Sequence, residues 1–188
     1  TENRWPDVFF EKGAVENYSL SARGGSDITR YSISTNYMRD EGVLMTDDFK
    51  KASFRLNLST KPNKWIEFGG LINPSYSKQR EFGDDVHAVL RVAPWLPIYH
   101  DENTMQFVNK TRYPDVKIGD YAMERHFDGY ILPGHTEGTS ISTSSSVGPV
   151  ARVAEIYDYA YNFNLLSNLY ATLHIFDGLD FTLSLIHI

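Results

Sequence analysis

Six histidines are the first residues of this 188-residue chain that could do chemistry, and His126 and His135 flank a Gly/Pro-rich turn. A zinc site needs cysteine thiolates or histidines at tight spacings such as HExxH. The chain has no such spacing and no cysteine at all. The histidines therefore read as solvated loop residues and no metal or other cofactor is expected, while the missing cysteines exclude disulfides and thiol catalysis. Carboxylates come next, as Asp47/Asp48, Asp84/Asp85, and Asp101 with Glu102. A glycosidase holds two carboxyls across a cleft at a defined separation. Sequence neighbours on loops do not supply that, so these read as solvated charge, with a calcium-binding surface loop as the lesser alternative. The glycines of GGSDIT are followed by neither lysine nor helix, which makes the stretch a turn and not a phosphate cradle. No catalytic residue emerges, and the chain reads as not an enzyme.

Non-covalent chemistry remains. Aromatic residues make up 14% of the chain, led by 12 tyrosines and 11 phenylalanines. An apolar ring with a polar tip suits water/lipid boundaries, protein interfaces and sugar-stacking surfaces. Trp95, Tyr99, Phe107, Tyr113, Tyr121, Phe127 and Tyr130 fall in one stretch without strand or helix patterning. Of these, Trp95, Tyr99, Tyr113 and Tyr130 are the candidate ligand or partner contacts; the alternative is a loop packed on itself by its own aromatics. The net charge of −6 and the lack of a basic cluster argue against nucleic acid.

The elements that must position these residues are strands. YDYAYNFNLLSNLYATLHI (157–175) alternates apolar odd positions with mostly polar even ones, Ser167 excepted, as a strand with one oily and one wet face does. The same alternation recurs in YSLSAR, RYSISTNYMR, KKASFRLNLST and WIEFGGLINPSYSK, with Pro74 marking a bend or the end of regular pairing. The turn FDGL begins one more strand. From about residue 80 to 155 alternation stops, and the stretch ends in GHTEGTSISTSSSVGPV, a tract expected to build no core. Connections therefore run short, longer, short, very long, short. In an antiparallel meander this puts short turns at one rim and long loops at the other, the asymmetry of an outer-membrane barrel. The expected fold is all-β: an antiparallel meander forming an open, curved section of a large transmembrane β-barrel, with one long extracellular loop at about 80–155. Phe163, Leu165, Leu169, Ala171, Leu173 and Ile175 would face lipid, Tyr157, Tyr159 and Tyr161 would form an aromatic girdle, and Asp158, Asn162, Asn164, Asn168, Thr172 and His174 would face a polar lumen. A soluble, secreted β-sandwich that binds carbohydrate is the alternative.

The stretch NYSLSARGGSDITRYSISTNYMRDEGVLMTDDFKKASFRLNLSTKPNKWIEFG resembles the early barrel region of SusC/RagA-type TonB-dependent outer-membrane transporters. PSYSKQ, VAPWLPIYHDEN and GPVARVAE are similar to that family's next strand end, its Pro-rich loop and its loop exit, although Gly148 stands where asparagine is common. The resemblance covers about Trp5 to Phe181. It implies nutrient import across the bacterial outer membrane without bond chemistry, oligosaccharides being the first expected cargo and peptides the second. Implied partners are a SusD-like surface lipoprotein and the TonB complex, the latter reached through a plug and TonB box that are not visible in this sequence. It also implies that long extracellular loops line the cargo cavity or touch the lipoprotein. Residues 1–182 are thus expected to be partial barrel. The last six, LSLIHI (183–188), resemble the translation of CTGTCTCTTATACACATC, a sequencing-adaptor end, and are expected to be a non-native tail without function.

Overall fold

A computed structural model describes residues 4–82, 86–87, 91–142 and 149–187. The chain divides into two compact units. The first, the sheet unit, comprises Gly13–Gly42, Asp48–Arg80 and Tyr159–Ile188; the second, the loop unit, comprises Thr1–Lys12, Val43–Asp47 and Glu81–Asp158.

The sheet unit is a six-stranded antiparallel meander of β1 (Ala14–Gly25), β2 (Thr29–Glu41), β3 (Asp48–Asn63), β4 (Ile66–Arg80), β5 (Tyr159–Phe176) and β6 (Leu179–His187), ordered as in the chain. It is open, because among the described residues β1 pairs only with β2 and β6 only with β5. Every strand expected from alternation forms. Short turns are held by local chemistry. Ser26 Oγ accepts from the Ile28 and Thr29 amides, and Asn63 Oδ1 accepts from those of Trp65 and Ile66 at 2.9 and 3.0 Å. Asp177-Gly178 closes β5–β6, with Gly178 at φ +92°, a left-handed conformation that glycine adopts without a Cβ penalty.

Register sorts the side chains cleanly, since cross-strand partners share a face. One face carries the row Tyr18, Tyr37, Ala52, Tyr76, Phe163 and, further along, Ala22, Ile33, Leu56, Ile72. The other carries Ser19, Asn36, Ser53, Ser75, Asn164 and Arg23, Ser32, Asn57, Leu71, Asn168. Apolar side chains on the first face stand in the open, with Leu20 72% and Phe163 67% exposed. A sandwich would bury that face beneath a second sheet, and among the described residues every named strand belongs to this one sheet. The sandwich alternative is thereby overturned. From Phe163 to Leu173 the apolar side of β5 rises about 33 Å along the strand, which a ~40° tilt reduces to the ~25 Å band of an outer-membrane barrel.

The band ends abruptly beyond the Tyr18/Tyr37/Tyr76/Phe163 row, at the charged row Glu16, Arg39, Lys50, Lys78. Here Lys78 Nζ lies 4.4 Å from the Tyr159 ring and 5.6 Å from that of Tyr161. Tyr159 and Tyr161 thus take the girdle position, but Tyr157 and Asp158 precede β5 and belong to the loop unit. Pro74 neither bends β4 out of the sheet nor ends it. It pairs with Leu165 on β5, while on the other side the β3 ladder skips Asn73 and Pro74 and resumes in the same register. A residue without an N–H interrupts one ladder locally and leaves the other intact.

On the polar face Glu67 collects Lys61 Nζ at 2.7 Å, the Tyr170 hydroxyl at 3.1 Å and Ser59 Oγ at 3.3 Å. Gly69 makes room for this: a Cβ there would sit 3.0 Å from the Tyr170 hydroxyl and 2.3 Å from the Leu58 carbonyl oxygen. His174 shares this face and pairs through Nδ1 with Asp180 at 2.8 Å.

The loop unit holds the buried core, as in the alternative of a loop packed on itself by its own aromatics. Trp5 and Phe9 on α1 (Trp5–Phe9) meet Val92, Leu96, Val108, Ala122, Phe127, Val150 and Val153. The short segment between β2 and β3 is tied in by Met45 N to Phe9 O at 2.9 Å and Glu11 N to Val43 O at 2.8 Å. Val150 and Val153 come from α3 (Pro149–Glu155), and Val150 is the last residue of the tract expected to build no core, so that expectation fails at its end. Small polar residues cannot form a core themselves, but the aliphatic residues at their margin do.

Candidate functional site

Within the loop unit, Trp95, Phe107, Phe127, Tyr130, Leu132 and Ile141 line a groove of about 380 Å³, together with Thr104 and Thr139. Its walls are edge-to-face pairs: Trp95 on Phe127 at 5.4 Å and Phe107 on Tyr130 at 5.7 Å. Phe107 follows α2 (Glu102–Met105), a single turn fixed by a capping box. Asp101 there accepts from the Thr104 amide at 2.8 Å, and Thr104 Oγ1 accepts from the Asp101 amide at 2.8 Å. These bonds, chiefly that from the Thr104 amide, hold the Asp101 carboxyl below its usual range. Asp101 is therefore a helix cap and not half of a catalytic or calcium pair. Asp48 likewise pairs with Lys50 at 2.5 Å within β3, and Asp84/Asp85 lie outside the described residues.

The opposite wall hangs on Asp128. Its carboxylate accepts from the Ile141 and Ser142 amides at 2.8 and 3.0 Å and from the Ser142 hydroxyl, while Gly129 and Tyr130 exchange backbone bonds with Thr139. Burial pushes the Asp128 carboxyl up, but the bonds from Ser142 and Ile141 outweigh it and leave it lowered.

Of the four sequence candidates, the groove brings together Trp95 and Tyr130. Tyr99 stacks on Tyr121 at 5.0 Å, and the hydrogen bond between their hydroxyls raises the Tyr121 phenol. Tyr113 packs on the His126 ring at 5.0 Å as part of the core surround. The sequence reading missed Leu132 and Ile141; two aliphatic residues within a polar, Gly/Ser/Thr-rich stretch are the signal that could have found them.

His126 is not a solvated loop residue. It is buried, and its Nδ1 lies 2.8 Å from Nε2 of buried His100. Burial, then the facing His100 and Arg125, pushes His126 down to about 4, and burial lowers His100 also. His100 Nδ1 is buried without a hydrogen-bond partner. Two histidines without a third ligand do not make a metal centre, and no cluster of three or more metal-ligating residues exists among the described residues.

The two-faced open meander defines the class: a section of a transmembrane β-barrel. No family model matches the chain. The chain is 28% identical over 102 residues to TonB-dependent receptor P26 of Formosa agariphila, covering 54% of this chain and 10% of that protein. It is 24% identical over 108 residues to the TonB-dependent receptor SusC of Bacteroides thetaiotaomicron, covering 55% of this chain and 11% of that protein. It thus spans about a tenth of the length of the curated relatives it matches. Among solved structures, the RagAB peptide importer in its closed-closed state superposes with a TM-score of 0.60 at 21% identity, over 97% of this chain and 18% of that one. The chain is thus similar to a section of TonB-dependent receptors of the SusC/RagA type.

Proposed function

We propose that this chain is part of an outer-membrane, TonB-dependent importer of nutrients of the oligosaccharide or peptide class, working with a SusD-like lipoprotein. The observation that carries the reading is the sheet unit itself, with an exposed apolar band on one face and a polar opposite face in unbroken register. Only a barrel wall between lipid and an aqueous interior uses both faces in that way. The relatives named TonB-dependent receptor and SusC support TonB coupling and an outer-membrane location, and RagAB is named for peptides. The barrel wall performs no bond chemistry, and the reading assigns it no catalytic residue or cofactor. Residues 183–188 have no part in it. The alternation of β6 supports setting them apart, because after Leu185 its phase inverts: Ile186 falls opposite Asn168 on the polar face and His187 opposite Ser167 on the apolar one.

The test is uptake of labelled oligosaccharides and peptides by cells producing the full-length transporter that carries this chain. Uptake should cease when TonB is removed or the proton-motive force is collapsed. Uptake undiminished by both would overturn the reading.

A further inference from the structure

We propose that the groove formed by Trp95, Phe107, Phe127, Tyr130, Leu132 and Ile141 binds an uncharged apolar side chain, aromatic or branched aliphatic, presented by a peptide cargo, and that it rejects sugar rings. This deepens the importer reading and rests on it for the word cargo. Four observations carry it.

First, no lining residue is charged, so the groove complements an uncharged occupant. Second, the hydroxyls of Thr104 and Thr139 are already committed to the chain, which leaves the Tyr130 hydroxyl and the Trp95 indole N–H as the polar side-chain groups of the lining. Thr104 Oγ1 is bonded to Asp101, and Thr139 Oγ1 donates to the Phe127 carbonyl. A sugar ring carries hydroxyls around its whole rim. Buried here, the wall-facing hydroxyls beyond those that Tyr130 and Trp95 can meet would lose water and gain no side-chain partner. Third, at about 380 Å³ the groove falls at the small end of ligand sites, ample for one large side chain and too small for a long oligosaccharide. Fourth, the walls are built in advance: ring pairs hold one side, the Asp101–Thr104 box fixes the turn before Phe107, and the Asp128 clip holds Ile141. A preorganised apolar slot gains from burying an apolar group without first ordering itself. Trp95 remains 46% exposed, which leaves its ring free to be covered.

The experiment follows Trp95 in the full-length transporter. Its fluorescence is titrated with blocked pentapeptides Gly-Gly-X-Gly-Gly, where X is Phe, Leu, Ser or Asp, and separately with maltohexaose. The proposal expects the Phe and Leu peptides to bind at least tenfold more tightly than the Ser and Asp peptides, with no response to maltohexaose. Leu132→Asp should remove that preference, and the ranking with the unaltered protein stands whether or not this variant folds. Equal affinity for all four peptides, or a Trp95 response to maltohexaose, overturns it. So does shielding of Trp95 from acrylamide by the lipoprotein alone, which would make a protein the occupant. Failure of TonB-dependent uptake with the peptide ranking intact would sink the importer reading and leave the groove's selectivity standing.

Discussion

His100 Nε2 and His126 Nδ1 lie 2.8 Å apart inside the loop unit, so one imidazole must donate and the other accept. Both are therefore held neutral, against a background in which Asp120 and Asp101 favour protonation and Lys110 and Arg125 oppose it. The sign of the consequence is fixed by the direction of the shift. Unfolded, His126 takes a proton near 6.5; folded, it resists until about 4. Between those values the unfolded state binds more protons, so stability is complete above pH 6.5 and is lost as pH falls toward 4. The gap between 6.5 and about 4 is worth up to ~3 kcal/mol for His126. Hydrogen exchange of the Asn109 and His126 amides, both bonded within this unit, should quicken across that window, and the double variant His100→Phe/His126→Phe should flatten the dependence. Exchange that is independent of pH after correction for its intrinsic rate would contradict the prediction. None of this was legible in the sequence. The partners stand 26 residues apart with no motif between them, and it is burial by Tyr113 and Phe127 that turns two loop histidines into a pair.

At the scale of elements, legibility tracks periodicity. All six strands can be read from alternation, because β-side chains fall on opposite faces whatever surrounds them. The boundary of β5 could not be read, since Tyr157 continues the alternation while its backbone has left the sheet. The loop unit has no period to read, and its core is assembled from three separated segments. The faces of β2 make a clean test in the full-length transporter. Ile33 lies in the middle of the apolar band beside Ala22 and Leu56, and Ser34 lies on the polar face beside Ser21 and Arg55. Ile33→Arg should cost about 2–4 kcal/mol when folding is measured by urea titration in lipid vesicles. Ser34→Arg should cost within about 0.5 kcal/mol. Equal costs would mean that the two faces do not meet different solvents. Gly69→Val tests the polar cluster differently. Its side chain would strike the Leu58 carbonyl and displace the Tyr170 hydroxyl from Glu67, for a loss of at least ~1 kcal/mol that Gly178→Val, strained only in its turn, would not share with the Glu67 cluster.

The whole molecule combines two kinds of stability that respond to different solvents. The loop unit carries its own buried core, whereas the sheet unit exposes Leu20, Phe163, Leu169 and Leu173 on its apolar face and, among the described residues, leaves the outer edges of β1 and β6 unpaired. In water an exposed apolar face of this extent drives association. An unpaired strand edge offers backbone donors and acceptors to any second copy. Lipid or detergent answers the first problem but not the second, because nothing in a hydrocarbon phase can satisfy an open ladder. The 188-residue chain produced by itself should therefore aggregate in aqueous buffer. In detergent it should disperse into a mixture of oligomers joined edge to edge, read by light scattering coupled to size-exclusion chromatography. Placing Pro at an outward-bonding position of β6, such as Thr182→Pro opposite Thr172, should shift that mixture toward smaller species by removing one edge as a template. A soluble monomer that melts cooperatively without detergent would mean that the apolar face finds cover within the chain, and would overturn the assignment of that face to lipid.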